Sequence, residues 1–297
     1  MAFIHNLLPV ADGSGFRMEG YFVWCGSPIA GEDGRYYLFA SRWPMSTGFP
    51  EGYFNHSEIV LAVTDRLDQP FRYAKTIIRG RGGGYWDGRM AHNPYIVRAS
   101  GQYVLFYIGS DDGSWERRKI GYATSGAIDG EWRRSPAPIE LPPNANNPAV
   151  YVEEDQSVLM IFRDGDLKVS AARAARYDGE YVIMNSDVSP GFQLEDPYVF
   201  KRNGRYEMLI EDADARYTGQ TAYGAHFISE DGVNWRPNDP ALGYTHTVPL
   251  AGGGVIQASR RERPALLIEN GRITALFTAV QVGDATWNCV QPYGEPG

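Results

Sequence analysis

The stretch Asp196-Pro197-Tyr198-Val199-Phe200, followed after a turn by Gly204-Arg205-Tyr206-Glu207-Met208-Leu209, decides how the rest of the chain is read. Apolar and polar residues alternate on both sides of a glycine-containing turn, which is the pattern of an antiparallel hairpin. Proline stands where the first strand opens, a position at which a missing ladder donor costs least. The pattern returns four more times. Ser27-Pro28-Ile29 leads to Gly34-Arg35-Tyr36-Tyr37-Leu38-Phe39, and Asn93-Pro94-Tyr95-Ile96 to Gly101-Gln102-Tyr103-Val104-Leu105-Phe106. Asn147-Pro148-Ala149-Val150 leads to Val158-Leu159-Met160-Ile161-Phe162, with Asp155 at the turn, and Arg263-Pro264-Ala265-Leu266-Leu267 to Gly271-Arg272-Ile273-Thr274-Ala275-Leu276-Phe277.

Proline and turn are six or seven residues apart in every copy, and successive prolines are 49 to 67 residues apart. That step holds four short strands with loops of variable length. Third strands are expected at residues 58–63, 119–124, 167–172 and 223–228, and signals for a fourth follow at Pro70-Phe71, Trp132 and Trp235. No stretch sustains a helical period. Five in-phase copies of a four-stranded unit predict an all-β protein, a five-bladed β-propeller spanning residues 1–297 as one domain.

Composition narrows the function. The 297 residues include 28 Lys and Arg against 36 Asp and Glu, a net charge of -8, which is the opposite of a nucleic-acid footprint. No apolar run reaches the ~18 residues of a membrane span. The first residues show no basic segment leading into an apolar core, so the expectation is a soluble, cytoplasmic protein with neither nucleic acid nor membrane as partner. Cys25 and Cys289 are too few for a disulfide framework; a single bridge between the ends is the most they allow.

The X-Pro pairs, the run Gly34 to Ser41, His92-Asn93-Pro94, Glu195-Asp196-Pro197 and Arg261-Glu262-Arg263-Pro264 give the chain a resemblance to the five-bladed glycoside hydrolases of family 43 and their relatives in families 32, 68, 117 and 130. The resemblance implies that the first strand of each blade starts at a central funnel. Residues before each proline would then ring a carbohydrate pocket: Ser27, Asn93, Asn147, Asp196 and Arg263, with His92, Asn146, Glu195 and Glu262 beside them. It also implies an aspartate in the first-blade slot and another in the third, whereas this sequence has Ser27 and Asn147.

Glycoside cleavage needs a proton donor and a base or nucleophile. Asp196 and Glu262 are the expected base and charge-stabilising groups, and His92, in the manner of family 117, the expected acid. Adjacent strand residues point to opposite faces, so only one of Glu195 and Asp196 should face the pocket squarely. Arg261 and Arg263 flank Glu262 and should lower its pKa; with Arg260 they also suit an acidic sugar or a phosphate co-substrate. Trp24, Arg42, Trp86 and Asp87 lie near the ring strands and are candidate substrate contacts, and Gly82–84 and Gly252–254 are candidate gates. No zinc-type spacing occurs, and no cofactor is expected, with a calcium ion on the axis left as an option. The leading expectation is a glycosidase acting on a small saccharide; a propeller that binds sugar without cleaving it, a phosphorylase and a lyase are the alternatives. Oligomeric state is not legible in the sequence.

Overall fold

The structure, a computed structural model, describes residues 2–294 and is a five-bladed β-propeller. Blade 1 consists of Tyr21–Ala30, Tyr36–Pro44, Glu58–Thr64 and Arg72–Ile78; blade 2 of Met90–Ala99, Gln102–Ser110, Lys119–Ser125 and Arg133–Arg134. Blade 3 is Asn146–Val152, Val158–Arg163, Val169–Ala174 and Val182–Asn185, and blade 4 is Leu194–Arg202, Arg205–Asp212, Tyr223–Ser229 and Arg236–Tyr244. Each is an antiparallel meander in sequence order. The innermost strands neighbour one another in a closed ring.

The fifth blade departs from the expectation of four strands. It has three, Arg260–Glu269, Arg272–Val282 and Ala285–Pro292. The N-terminal segment lies along the last of them: Phe16 N donates to Asn288 O (2.9 Å), Asn288 N donates back to Phe16 O (3.1 Å), and Leu8 N donates to Pro292 O (2.9 Å). A hairpin of Thr247–Pro249 and Val255–Gln257 precedes the blade, and Gly252–254 form its turn.

Hairpin turns fall where the sequence places them. Ser100-Gly101, Asn203-Gly204 and Asn270-Gly271 have positive φ at both residues, the two-residue turn whose twist matches its strands. Valine, isoleucine, leucine and phenylalanine of the middle strands fill the spaces between blades; Leu61, Leu105, Leu159, Leu209 and Leu276 are fully buried. Both cysteines are buried and free, so the allowed bridge does not form.

One feature of the inner strands positions everything at the axis. Each pairs with its neighbour, skips two residues, and pairs again. The skipped residues lie between Trp24 and Ser27, His92 and Tyr95, Asn146 and Ala149, Glu195 and Tyr198, and Glu262 and Ala265. The first residue of each skip is left-handed: Cys25 (φ 53), Asn93 (51), Asn147 (54), Asp196 (58) and Arg263 (57). In blades 2 to 5 that residue precedes the proline. In blade 1 it is Cys25, followed by Gly26, and the Ser27-Pro28 pair lies two residues further along. The ring slot expected for Ser27 therefore belongs to Cys25. Gly26 replaces the proline because a Cβ there would come within 2.5 Å of Asn288 Oδ1.

Candidate active site

In four blades the residue before the left-handed kink points up into the funnel, and in all five the kinked residue turns down to the axis; in blade 3 the residue before the kink, Asn146, is instead buried, its Nδ2 donating to the Asn144 and Arg163 carbonyls. Trp24, His92, Glu195 and Glu262 accordingly line one cavity of about 290 Å³, at the small end of ligand pockets. Cys25, Asn93, Asn147 and Asp196 line a narrow axial space below it, and Arg263 borders both. Asp196, His92 and Glu262 thus do not share the cavity: Asp196 is 3% exposed, beneath the floor. The alternation of faces assigns Glu195, not Asp196, to the pocket.

Beneath the floor runs a polar chain. Arg263 Nη1 lies 2.9 Å from Asp196 Oδ1, and Asn147 Nδ2 donates to the same oxygen (2.8 Å). Asn93 is best satisfied with its amide nitrogen donating to His92 Nε2 (3.1 Å) and its oxygen accepting from Arg263 Nη1 (2.8 Å). Burial, with Glu195 and Glu262 close by, pushes the Asp196 carboxyl up to about 8 in spite of Arg263. Carboxylate oxygens of Asp196, Glu211 and Glu262 come within 4.8 Å of one another, a donor set that could hold a cation. The Arg263 guanidinium on Asp196 already brings positive charge to this point of the axis.

His92 is buried, with Nδ1 2.8 Å from Ser57 Oγ and its ring stacked on Tyr53 at 4.4 Å. Burial, with Arg263 and Arg118 nearby, holds its pKa well below 6.5, so the imidazole is neutral near pH 7. Glu262 also departs from the sequence reading. Burial raises its carboxyl above the usual value, against the pull of Arg260 and Arg263; flanking arginines in a strand do not act as they would in solvent.

The sequence reading missed Glu211. It belongs to the second strand of blade 4, directly opposite Glu195 in the ladder, and faces the same cavity. Its one signal is a carboxylate ending an otherwise apolar run, Met208-Leu209-Ile210-Glu211. Glu195 pairs with Arg163 (2.6 Å) and Glu262 with Arg260 (3.3 Å), whereas Glu211, 7% exposed, has no ion pair or side-chain hydrogen bond among the described residues. Burial and the charges of Glu262, Asp196 and Glu195 raise its pKa well above 4.5. With no ion pair of its own, this carboxyl has little to offset burial and like charge.

Aromatic rings form the opposite wall. Trp24 and Trp43 come from the blade 1 strands, Phe49 and Tyr53 from the insertion between its second and third strands, and Trp115 from the loop before Lys119–Ser125. Trp43 stacks on Phe49 (5.6 Å, 15° between planes), which fixes a flat apolar surface at the mouth. Arg118 and Arg260 complete the lining.

Several expected contacts are elsewhere. Arg42 pairs with Glu58 (2.6 Å) and lies over the Tyr21 ring (4.4 Å), out in blade 1. Trp86 packs flat on Tyr107 and over Gly109 and Gly121, where a Cβ would strike its ring. Asp87, wholly buried, is held by Arg81 (2.5 Å), Arg134 (3.3 Å) and the Tyr107 hydroxyl (2.7 Å). Arg261 is buried on Thr278, Gln291 and the Thr245 carbonyl. Ser27 Oγ accepts from Ile96 N (3.0 Å), tying blade 1 to blade 2. Neither Gly82–84 nor Gly252–254 borders the cavity. Among the described residues no helix is long and apolar enough to cross a membrane.

No protein-family model matches the sequence, and no curated protein does. Solved structures do. A structure described as a glycoside hydrolase superposes with a TM-score of 0.69 at 14% identity, covering 98% of this chain and 92% of its own. A family 43 β-xylosidase/α-arabinofuranosidase from a compost microbial metagenome, in complex with xylotriose, gives 0.67 at 13% identity, over 96% and 95%. The endo-arabinase of Bacteroides thetaiotaomicron gives 0.65 at 11% identity, over 96% and 99%. Its ring of five blades and these likenesses give the chain the fold of the family 43 glycoside hydrolases.

Proposed function

We propose that this propeller is a glycosidase acting on a short saccharide or glycoside in the aromatic-walled cavity, with Glu211 as the proton donor. One observation carries the reading: a buried carboxyl without a cation partner faces the cavity beside two carboxylates that each have one. An acid kept protonated near neutral pH protonates a departing glycosidic oxygen, and an ionised neighbour supports the developing positive charge or activates water. Glu195 and Glu262 are the neighbours available. Asp196 acts through Arg263, holding it at the cavity floor, and His92 positions Tyr53 as a neutral ring. The aromatic wall suits the C–H faces of a sugar.

A second reading rests on Cys25 and Asn147, the residues at the two ring slots where the family resemblance implies aspartates. Burial pushes the Cys25 thiol up, so it is no base. On this reading the cavity binds sugar without turnover.

Product mass spectrometry on an aryl-glycoside and oligosaccharide panel in oxygen-18 water separates the two. Hydrolysis places label in the reducing sugar. Glu211→Gln should slow substrates with poor leaving groups by about 10²–10⁴-fold and those with 2,4-dinitrophenolate far less. Binding without any cleavage would favour the second reading. Equal loss on good and poor leaving groups would remove Glu211 from the acid role.

A further inference from the structure

Four arginines lie in or against this site, and three have carboxylate partners: Arg163 with Glu195, Arg260 with Glu262 and Arg263 with Asp196. Arg118 has none. It lines the cavity at 4% exposure, and no carboxylate of the described residues forms an ion pair with it. Its orientation is nevertheless fixed. Nε donates to the Trp115 carbonyl (3.1 Å) and to Asn144 Oδ1 (2.9 Å), the guanidinium lies 4.3 Å from the Trp115 ring centre, and the Tyr53 phenol is a further neighbour. These contacts fix the plane of a guanidinium that lines the cavity beside the Tyr53 phenol.

A desolvated cation without an anion is costly, and proteins rarely keep one without a partner. An arginine locked in this way offers a planar fork matched to a carboxylate or sulfate. The cavity's Glu195 and Glu262 are already offset by their own arginines. Building on the glycosidase reading, we propose that the substrate is an acidic sugar, and that Arg118 is the residue that selects it by receiving its anionic substituent. The sequence pointed to Arg260, Arg261 and Arg263 for such a role; Arg260 and Arg263 do reach the cavity but are paired with Glu262 and Asp196, and the fold buries Arg261 on Thr278 and Gln291.

The test uses the quenching of cavity tryptophans Trp24, Trp43 and Trp115 to measure binding of methyl hexuronides, their neutral parent methyl hexosides, sulfated hexosides and inorganic phosphate. One acidic sugar should bind about tenfold more tightly than its neutral parent, with the gap shrinking as salt rises. Comparing hexuronides with sulfated hexosides identifies the anion. Arg118→Gln should bring acid and parent to similar affinity by weakening the acid, and Arg118→Lys should restore part of the gap; the lysine variant and the salt series keep the test valid if the glutamine variant does not fold. Equal or tighter binding of neutral parents overturns the proposal while leaving the glycosidase reading intact. So does an equal loss for both classes in Arg118→Gln, or Arg118-dependent binding of phosphate without preference for an acidic sugar. Failure of every saccharide to bind would remove both readings.

Discussion

Glu211 combines burial with three neighbouring carboxylates, and its raised pKa has a consequence for stability as well as for chemistry. The folded pKa lies above the unfolded value of 4.5, so the stabilisation associated with the protonated form is complete below pH 4.5 and is lost as pH rises through the folded pKa. Glu211→Gln removes that loss. The variant should match the wild type in thermal unfolding at pH 4.5 and exceed it at pH 8, while turning over substrate more slowly. A wild type that is the more stable of the two at pH 8 would mean the carboxylate is held charged. The same protonation places the loss of activity on the alkaline side: kcat/KM should fall as pH climbs through the Glu211 pKa. At this scale the sequence was legible in part. Glu262 and Glu195 were found at the pocket because they lie beside the X-Pro pairs; Glu211 lies on a second strand with no motif around it, and only the ladder brings it opposite Glu195.

At the scale of the strand, the inner ladder's two-residue skip sorts side chains between cavity and axis. Alternation of faces turns Asp196 down while Glu195 looks up, and the left-handed residue marks the point in each inner strand where the skip begins. In four blades the residue before the proline is the kinked one, so the residues expected to ring the pocket turn to the axis beneath it, apart from Arg263, which borders both. In blade 1 the kinked residue is Cys25, not the expected Ser27: Gly26 takes the proline's place and Ser27-Pro28 imitates the motif two residues late. Ser27 has a different duty, accepting from the Ile96 amide of the next blade, and Ser41 Oγ accepts similarly from Asn93 N (3.1 Å). Ser27→Ala should cost about 1–3 kcal/mol by orphaning a buried amide. Denaturant unfolding would register this, and sugar affinity should be unchanged. A large loss of affinity with normal stability would return Ser27 to the binding site.

At the scale of the molecule, five blades must close into a ring, and the N-terminal segment takes part in the closure. Phe3 is 1% exposed and packs against Tyr293 of the closing segment (4.8 Å between ring centres) and Phe200 of blade 4 (6.4 Å). Phe3→Ala should cost about 3–5 kcal/mol and lower the melting temperature, because the cavity left behind lies between blades that cannot easily collapse. The number of blades and most strands were legible from periodicity alone. The three-stranded fifth blade was not, since its added partner comes from residues some 270 positions away in the chain.

The proposed chemistry requires that Glu211 hold its proton in the cavity above the ordinary carboxylate range. Carbon-13 NMR titration of glutamate-labelled protein, with Glu211→Gln to assign the resonance, measures this directly. The Glu211 carboxyl carbon should keep its protonated shift well above pH 4.5 and change only at higher pH. A Glu211 signal that titrates at or below 4.5 would contradict it.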